Sequence, residues 1–178
     1  MPGKLRWTFA LLIVSLSLSG CNVDVQGEGQ NKNVDVHTVF GDISVRTSDK
    51  GVDTGLPVYP GAKLLQGDSD ESGSADVNVG TSFVGVHVKA AKYESKDAPQ
   101  AVVDFYRDEL GKFGTVVACN GDVNFEGEPK QPVCKEDSGS GEIQLVTGTE
   151  DNHRMVSVKP RGAGSEFAVV AIQIDERD

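Results

Sequence analysis

Three cysteines, three histidines and one acidic run carry the side chains in this sequence that could do chemistry. Cys21, Cys119 and Cys134 make an odd count, awkward in an oxidising compartment where thiols pair. Cys119 and Cys134 stand too far apart for a C-x-x-C redox motif. In the run Asp68-Ser69-Asp70-Glu71-Ser72-Gly73-Ser74-Ala75-Asp76, oxygens at Asp68, Asp70, Ser72 and Asp76 and the glycine at the sixth place match the first nine positions of an EF-hand calcium loop. The twelfth position is Val79, where a bidentate glutamate is needed, and no helix pattern flanks the loop. A weak calcium site of millimolar affinity is the most such a loop could form; a solvated acidic loop is the default expectation. His37, His87 and His153 fall on three different predicted strands with no ligand partner at zinc spacing, and each is expected as a surface strand residue. No G-x-S-x-G elbow, glycine-rich phosphate loop or H-E-x-x-H is present. The many carboxylates are scattered over loops, and a hydrolase would need a pair brought together from separate strands. No catalytic residue, metal site or cofactor is assigned on this pattern.

The segment before Cys21 carries a different kind of signal. Lys4 and Arg6 precede the apolar run from Thr8 to Ser19, and no acidic residue occurs before Cys21. A charged start, a short apolar stretch and small residues at its end make an export signal. The run is shorter than the roughly 20 apolar residues that span a bilayer. Leu18-Ser19-Gly20-Cys21 resembles the lipobox of bacterial lipoproteins: an aliphatic residue, two small ones and a cysteine. The resemblance implies that Cys21 is acylated, becomes the mature N-terminus and ties the chain to a membrane. The alternative is an ordinary secretory signal that ends beside a cysteine. With Cys21 given to lipid, the resemblance leaves Cys119 and Cys134 as a pair, which in the envelope forms a structural disulfide. Closing a loop of about 15 residues contributes roughly 3 kcal/mol; two free buried thiols are the other possibility. Asn22 stands where some Gram-negative lipoproteins carry an inner-membrane retention aspartate, so the resemblance implies an outer-membrane site facing the periplasm in such a cell.

These features divide the chain into a signal peptide (1–20), a polar spacer with short strands or a hairpin (21–55) and a globular domain (56–178). Loss of Lys4 and Arg6 with the signal moves the formal net charge from −10 to −12. Such acidity argues against nucleic acid and against electrostatic binding to anionic lipid. It leaves the lipid anchor as the membrane contact and an envelope protein as the candidate partner. Glycine at 21 residues, with modest hydrophobic content, favours β-structure with many turns.

The elements that must position these residues follow from periodicity. In the spacer, Asn22-Val23-Asp24-Val25 recurs as Asn33-Val34-Asp35-Val36, and Ile43 and Val45 alternate beyond a Phe40-Gly41-Asp42 turn. Two strands around that turn are predicted. They resemble a rung of the β-solenoid repeats of some bacterial surface proteins, though two copies are too few to bury a solenoid face; a stalk with a hairpin is the simpler alternative. From Pro57-Val58-Tyr59-Pro60-Gly61-Ala62 through Asp97-Ala98-Pro99 and Val102-Val103-Asp104-Phe105-Tyr106, residues 56–175 resemble a set of uncharacterised exported bacterial proteins. Those proteins share a YPGA opening and a D-x-P-x-x-V-x-x-F-Y-x-x-x-L helix; the resemblance implies a compact α+β domain and no particular activity. Val84, Val86, Val88 and Ala90 alternate as a strand. A helix over about 97–113 is predicted, with Asp97 as N-cap, Gln100 closing a capping box, and Val102, Phe105, Tyr106, Leu110 and Phe113 as the buried stripe. Residues 126–141 are expected to be an exposed loop pinned through Cys134. Strands over 142–147, 154–159 and 166–175 complete the chain, the last apolar on both faces. The expected fold is α+β: a mainly antiparallel sheet with one principal helix packed on one face.

Overall fold

A computed structural model describes residues 22–29, 31–66, 72–135 and 139–176. In chain order the elements are β1 (Asn22–Glu28), β2 (Asn31–Thr38), β3 (Gly41–Thr47), β4 (Lys63–Leu64), β5 (Ser74–Thr81), β6 (Val84–Ser95), α1 (Pro99–Gly111), β7 (Val117–Asn120), β8 (Val123–Glu126), β9 (Gln131–Cys134), β10 (Ile143–Thr149), β11 (Asn152–Arg161) and β12 (Gly164–Glu176). The main sheet runs β1-β2-β3-β5-β6-β12-β11-β10-β7. β4 continues the line of β5 along β6, and every pairing is antiparallel. β8 and β9 make a separate hairpin. The fold is α+β, mainly β, with a single helix among the described residues.

Residues expected as a spacer extend this sheet. β3 pairs with β5 from Gly41↔Thr81 to Thr47↔Ala75, so the three N-terminal strands share one ladder with the rest. The predicted turn at Phe40 joins β2 to β3, and Val39 and Phe40 at its tip are exposed.

α1 lies over β10, β11 and β12. Its buried Val102, Tyr106 and Leu110 meet Leu145, Val156 and Phe167 from the sheet. Each such side chain contributes roughly 1.5–3 kcal/mol by leaving water. The stripe is shifted from its expected membership: Val103 is buried as well, whereas Phe113 lies beyond the helix end and is 46% exposed. The Arg154 guanidinium sits 4.0 Å over the Phe113 ring. The expected capping box is absent. Ala98 is the N-cap and makes no side-chain bond; Pro99 opens the helix, where its missing N–H goes unneeded. Asp97 instead accepts the Tyr59 hydroxyl at 2.8 Å, and Gln100 donates one turn on to Asp104. A competing partner in the Pro57–Ala62 segment has taken the capping carboxylate.

The expected loop at 126–141 also needs correction, because Gln131–Cys134 is strand β9, paired with β8. Pro132 tolerates this placement because a two-stranded hairpin is all edge and its missing N–H breaks no ladder bond. At the β10–β11 turn, Gly148 has φ +107°, and a Cβ there would meet the Asn152 carbonyl oxygen at 2.1 Å. Only glycine fits that close approach.

Candidate functional site

On the helix side, the Pro57–Ala62 segment is held by aromatic packing. Phe167 lies centrally, its ring 5.4 Å from Tyr93, 5.6 Å from Tyr106 and 6.3 Å from Tyr59. The Tyr106 hydroxyl accepts the Tyr59 backbone N–H at 3.2 Å. Burial drives the Tyr106 phenol far above its ordinary pKa, and burial also raises that of Tyr93. Both are therefore neutral structural groups across the physiological range.

Beside this cluster, a cleft of about 720 Å³ lies between the Pro60–Gly61 turn and the β11–β12 turn. It is lined by charges of both signs, Lys63, Lys96 and Arg161 with Glu94 and Asp97. Arg161 reaches Glu94 at 3.4 Å and Glu166 at 3.5 Å, Lys159 holds Glu166 at 2.9 Å, and Asp97 accepts the Tyr59 hydroxyl. The buried Ser165 hydroxyl has no hydrogen-bond partner among the described residues. Glu94 and Asp97 are the cleft's carboxylates.

The residues nominated by sequence are dispersed. Cys21, Asp68 and Asp70 lie outside the described residues. Ser72 donates its hydroxyl to the Ser74 carbonyl. Asp76 is in β5, accepts from the Asn78 amide and stands in register with Lys89 and Arg46. That places Asp76 within the sheet ladder rather than on a loop. Cys119 and Cys134 are joined in a disulfide, with Cα atoms 5.3 Å apart. The bond ties the edge of the main sheet to the β8–β9 hairpin.

His37 is exposed and contacts Asp42 at 2.8 Å; the carboxylate's hydrogen bond, and then its charge, raise the imidazole pKa above 6.5. His87 bonds to Asn78. His153, expected at the surface, is only 8% exposed: its ring lies 4.7 Å from Phe125 of the hairpin, and Nδ1 meets the carbonyls of Thr149 and Glu150. Among the described residues no three His, Cys, Asp or Glu side chains converge as a metal site.

A larger feature emerges from strand register. Residues paired across antiparallel strands share a face, and neighbours along a strand alternate. On the face opposite α1, Val23, Val36, Ile43, Val79, Val86 and Ile174 form one unbroken cross-strand row. Val25, Val34, Val45, Val77, Val88 and Ile172 form the next. Ala75, Ala90 and Val170 extend the patch into a third row. The opposite face of the same strands is polar: Asp24, Asp35, Ser44, Asn78, His87 and Gln173 align in register.

An antiparallel sheet so divided ordinarily buries its aliphatic face. Among the described residues β1, β2, β3 and β5 make no substantial contact with any element except their sheet neighbours. Val23 is 57% exposed, Val25 62% and Ile43 41%. Past β12 the same face is covered, since the β8–β9 hairpin lies against β10 and β7 and Val146 there is fully buried. Periodicity along each strand hints at such a face, but its continuity depends on the pairing order, which the sequence does not state.

Comparison with protein-family models, with curated proteins and with solved structures finds no match. Among the described residues no helix is long and apolar enough to cross a membrane.

Proposed function

We propose that this chain is a lipid-tethered protein of the bacterial cell envelope whose domain works by docking onto another envelope component rather than by catalysis. One observation carries the reading: Leu18-Ser19-Gly20-Cys21 closes an export signal, and the other two cysteines are bonded to each other. Cys21 is then the single thiol left for acylation. A disulfide of this kind belongs to an oxidising compartment, in keeping with export.

The docking role draws on the aliphatic sheet face. An acidic domain carrying −12 after signal removal stays soluble at the end of its tether. β1 begins at Asn22, immediately after the acylated residue, so the edge of the sheet lies next to the anchor. In a Gram-negative cell, Asn22 rather than aspartate at the position after the cysteine supports an outer-membrane site facing the periplasm. The test is Cys21→Ser in the full chain, with alkyne-palmitate labelling and membrane fractionation. The wild type should take label and sediment with membranes, and the variant should do neither. A variant that still labels would refute the assignment.

A further inference from the structure

We propose that the aliphatic face opposite α1 is the interface with a second copy of this chain, two sheets stacking face to face over their valine and isoleucine rows. The proposal deepens the docking reading by naming the partner, and it rests on that reading for the tether.

The first argument is area. The face is six strands wide, from β1 to β12 in the sheet order. At about 4.8 Å per strand and about 6.8 Å per face residue, the patch measures roughly 29 Å by 17 Å, or about 500 Å² in plan. That is at the upper end for a soluble monomer, whose largest apolar patch is about 300–600 Å². Completing the third row and adding one residue at the opposite strand ends brings the plan footprint to roughly 29 Å by 27 Å, close to the roughly 800 Å² that a stable interface buries per partner, with Lys32 and Glu176 at its rim.

The second argument is charge and composition. Asp24, Asp35, Asp42, Arg46, Asp76 and Lys89 all belong to the other face of these strands by register. Two acidic copies can therefore meet without bringing these charges into the seam, with the sheets about 10 Å apart. A lipid surface fits less well. Membrane-facing protein surfaces carry aromatic girdles or basic residues at the interface. Here Phe40 and Phe83 are exposed only at the β2–β3 and β5–β6 turns, Lys32 lies at the rim, and the two complete rows hold only valine and isoleucine, so lipid capture is an outcome the test must read.

The third argument is the anchor. Stacked sheets keep their strands within about 30° of one another, so a two-fold axis along the membrane normal presents both copies of Asn22 to the same leaflet. Tethering both copies to one membrane raises their effective concentration, so a modest face suffices.

The test uses the full, lipid-bearing chain in intact cells. A photo-reactive phenylalanine is placed at Ile43 or Val25 on the aliphatic face, or at Asp42 or Asp24 on the polar face. The expected product is an adduct of twice the chain mass from Ile43 and Val25, and none from Asp42 and Asp24. Capture only of lipid, capture only of a protein of another mass, or no adduct from the aliphatic face would overturn the proposal. A second variant, Val25→Thr with Ile43→Thr, keeps β-branched side chains at exposed sites and so keeps the fold, checked by circular dichroism. It should lower the yield of a self-adduct from a probe at Val77 by about tenfold or more; an unchanged yield would likewise overturn the interface. Fractionation of the same cells separates the two claims. A membrane-bound chain without self-adduct refutes the dimer alone, and a soluble chain with self-adduct refutes the tether alone.

Discussion

Replacing both bridge cysteines, as Cys119→Ala with Cys134→Ala, should weaken the fold by an amount that the chain itself sets. The bond closes 15 residues, and the loop-entropy model gives such a closure roughly 3 kcal/mol. For a chain of this size each kcal/mol moves the melting temperature by about 2–4 °C, so a fall of roughly 6–12 °C is expected. The loss should be local before it is global. β9 lies against β7 and β10, the hairpin covers fully buried Val146, and Phe125 packs on His153. Hydrogen exchange should therefore find the amides of residues 123–134 losing protection first, while those of β12 keep theirs. Calorimetry and exchange on the mature chain, with and without the pair of substitutions, provide the assay. A fall of less than about 2 °C would mean that the hairpin is held by its apolar contacts alone, and the argument from loop closure would be refuted.

Tyr106→Phe should cost about 1–2 kcal/mol, because it leaves the part-buried Tyr59 N–H without its acceptor. Tyr59→Phe removes an exposed contact to Asp97 and should change stability by no more than about 0.5 kcal/mol; urea unfolding distinguishes the two, and equal effects would remove the Tyr59–Tyr106 link from the account. Phe167→Ala empties the centre of the aromatic cluster and should cost about 3–5 kcal/mol by the same measurement. His37 in the folded chain should titrate above 6.5. Its pairing with Asp42 then favours the β2–β3 hairpin fully below pH 6.5, and that contribution is lost as pH rises through the raised value. NMR titration of the imidazole should show the pKa returning toward 6.5 in Asp42→Asn, and an identical titration in both proteins would exclude the ion pair.

The fold class was legible in the sequence because its strongest signals are local. Alternation from Val84 to Ala90 marks β6, and the spacing of Val102, Tyr106 and Leu110 marks α1. The helix start was misread because Asp97 has two possible partners, the helix N-terminus and Tyr59, and which one wins depends on where the Pro57–Ala62 segment lies. β9 was hidden because proline ordinarily breaks strands, whereas Pro132 sits in a two-stranded hairpin that lacks inner positions. The burial of His153 depends on that same hairpin. The aliphatic face could not be read from single strands: two-residue alternation in β1, β2, β3, β5 and β6 is visible, but only their order and register make it one surface. For Cys21, the four-residue pattern and the pairing of the other cysteines remain the grounds.

Intact-mass spectrometry of the protein extracted from membranes tests the tether most directly. The account predicts a chain that begins at Cys21, carries diacylglycerol on that cysteine, and takes up alkylating agent at Cys119 and Cys134 only after reduction. A chain that retains Met1, or one cut at another residue and free of lipid, would contradict it.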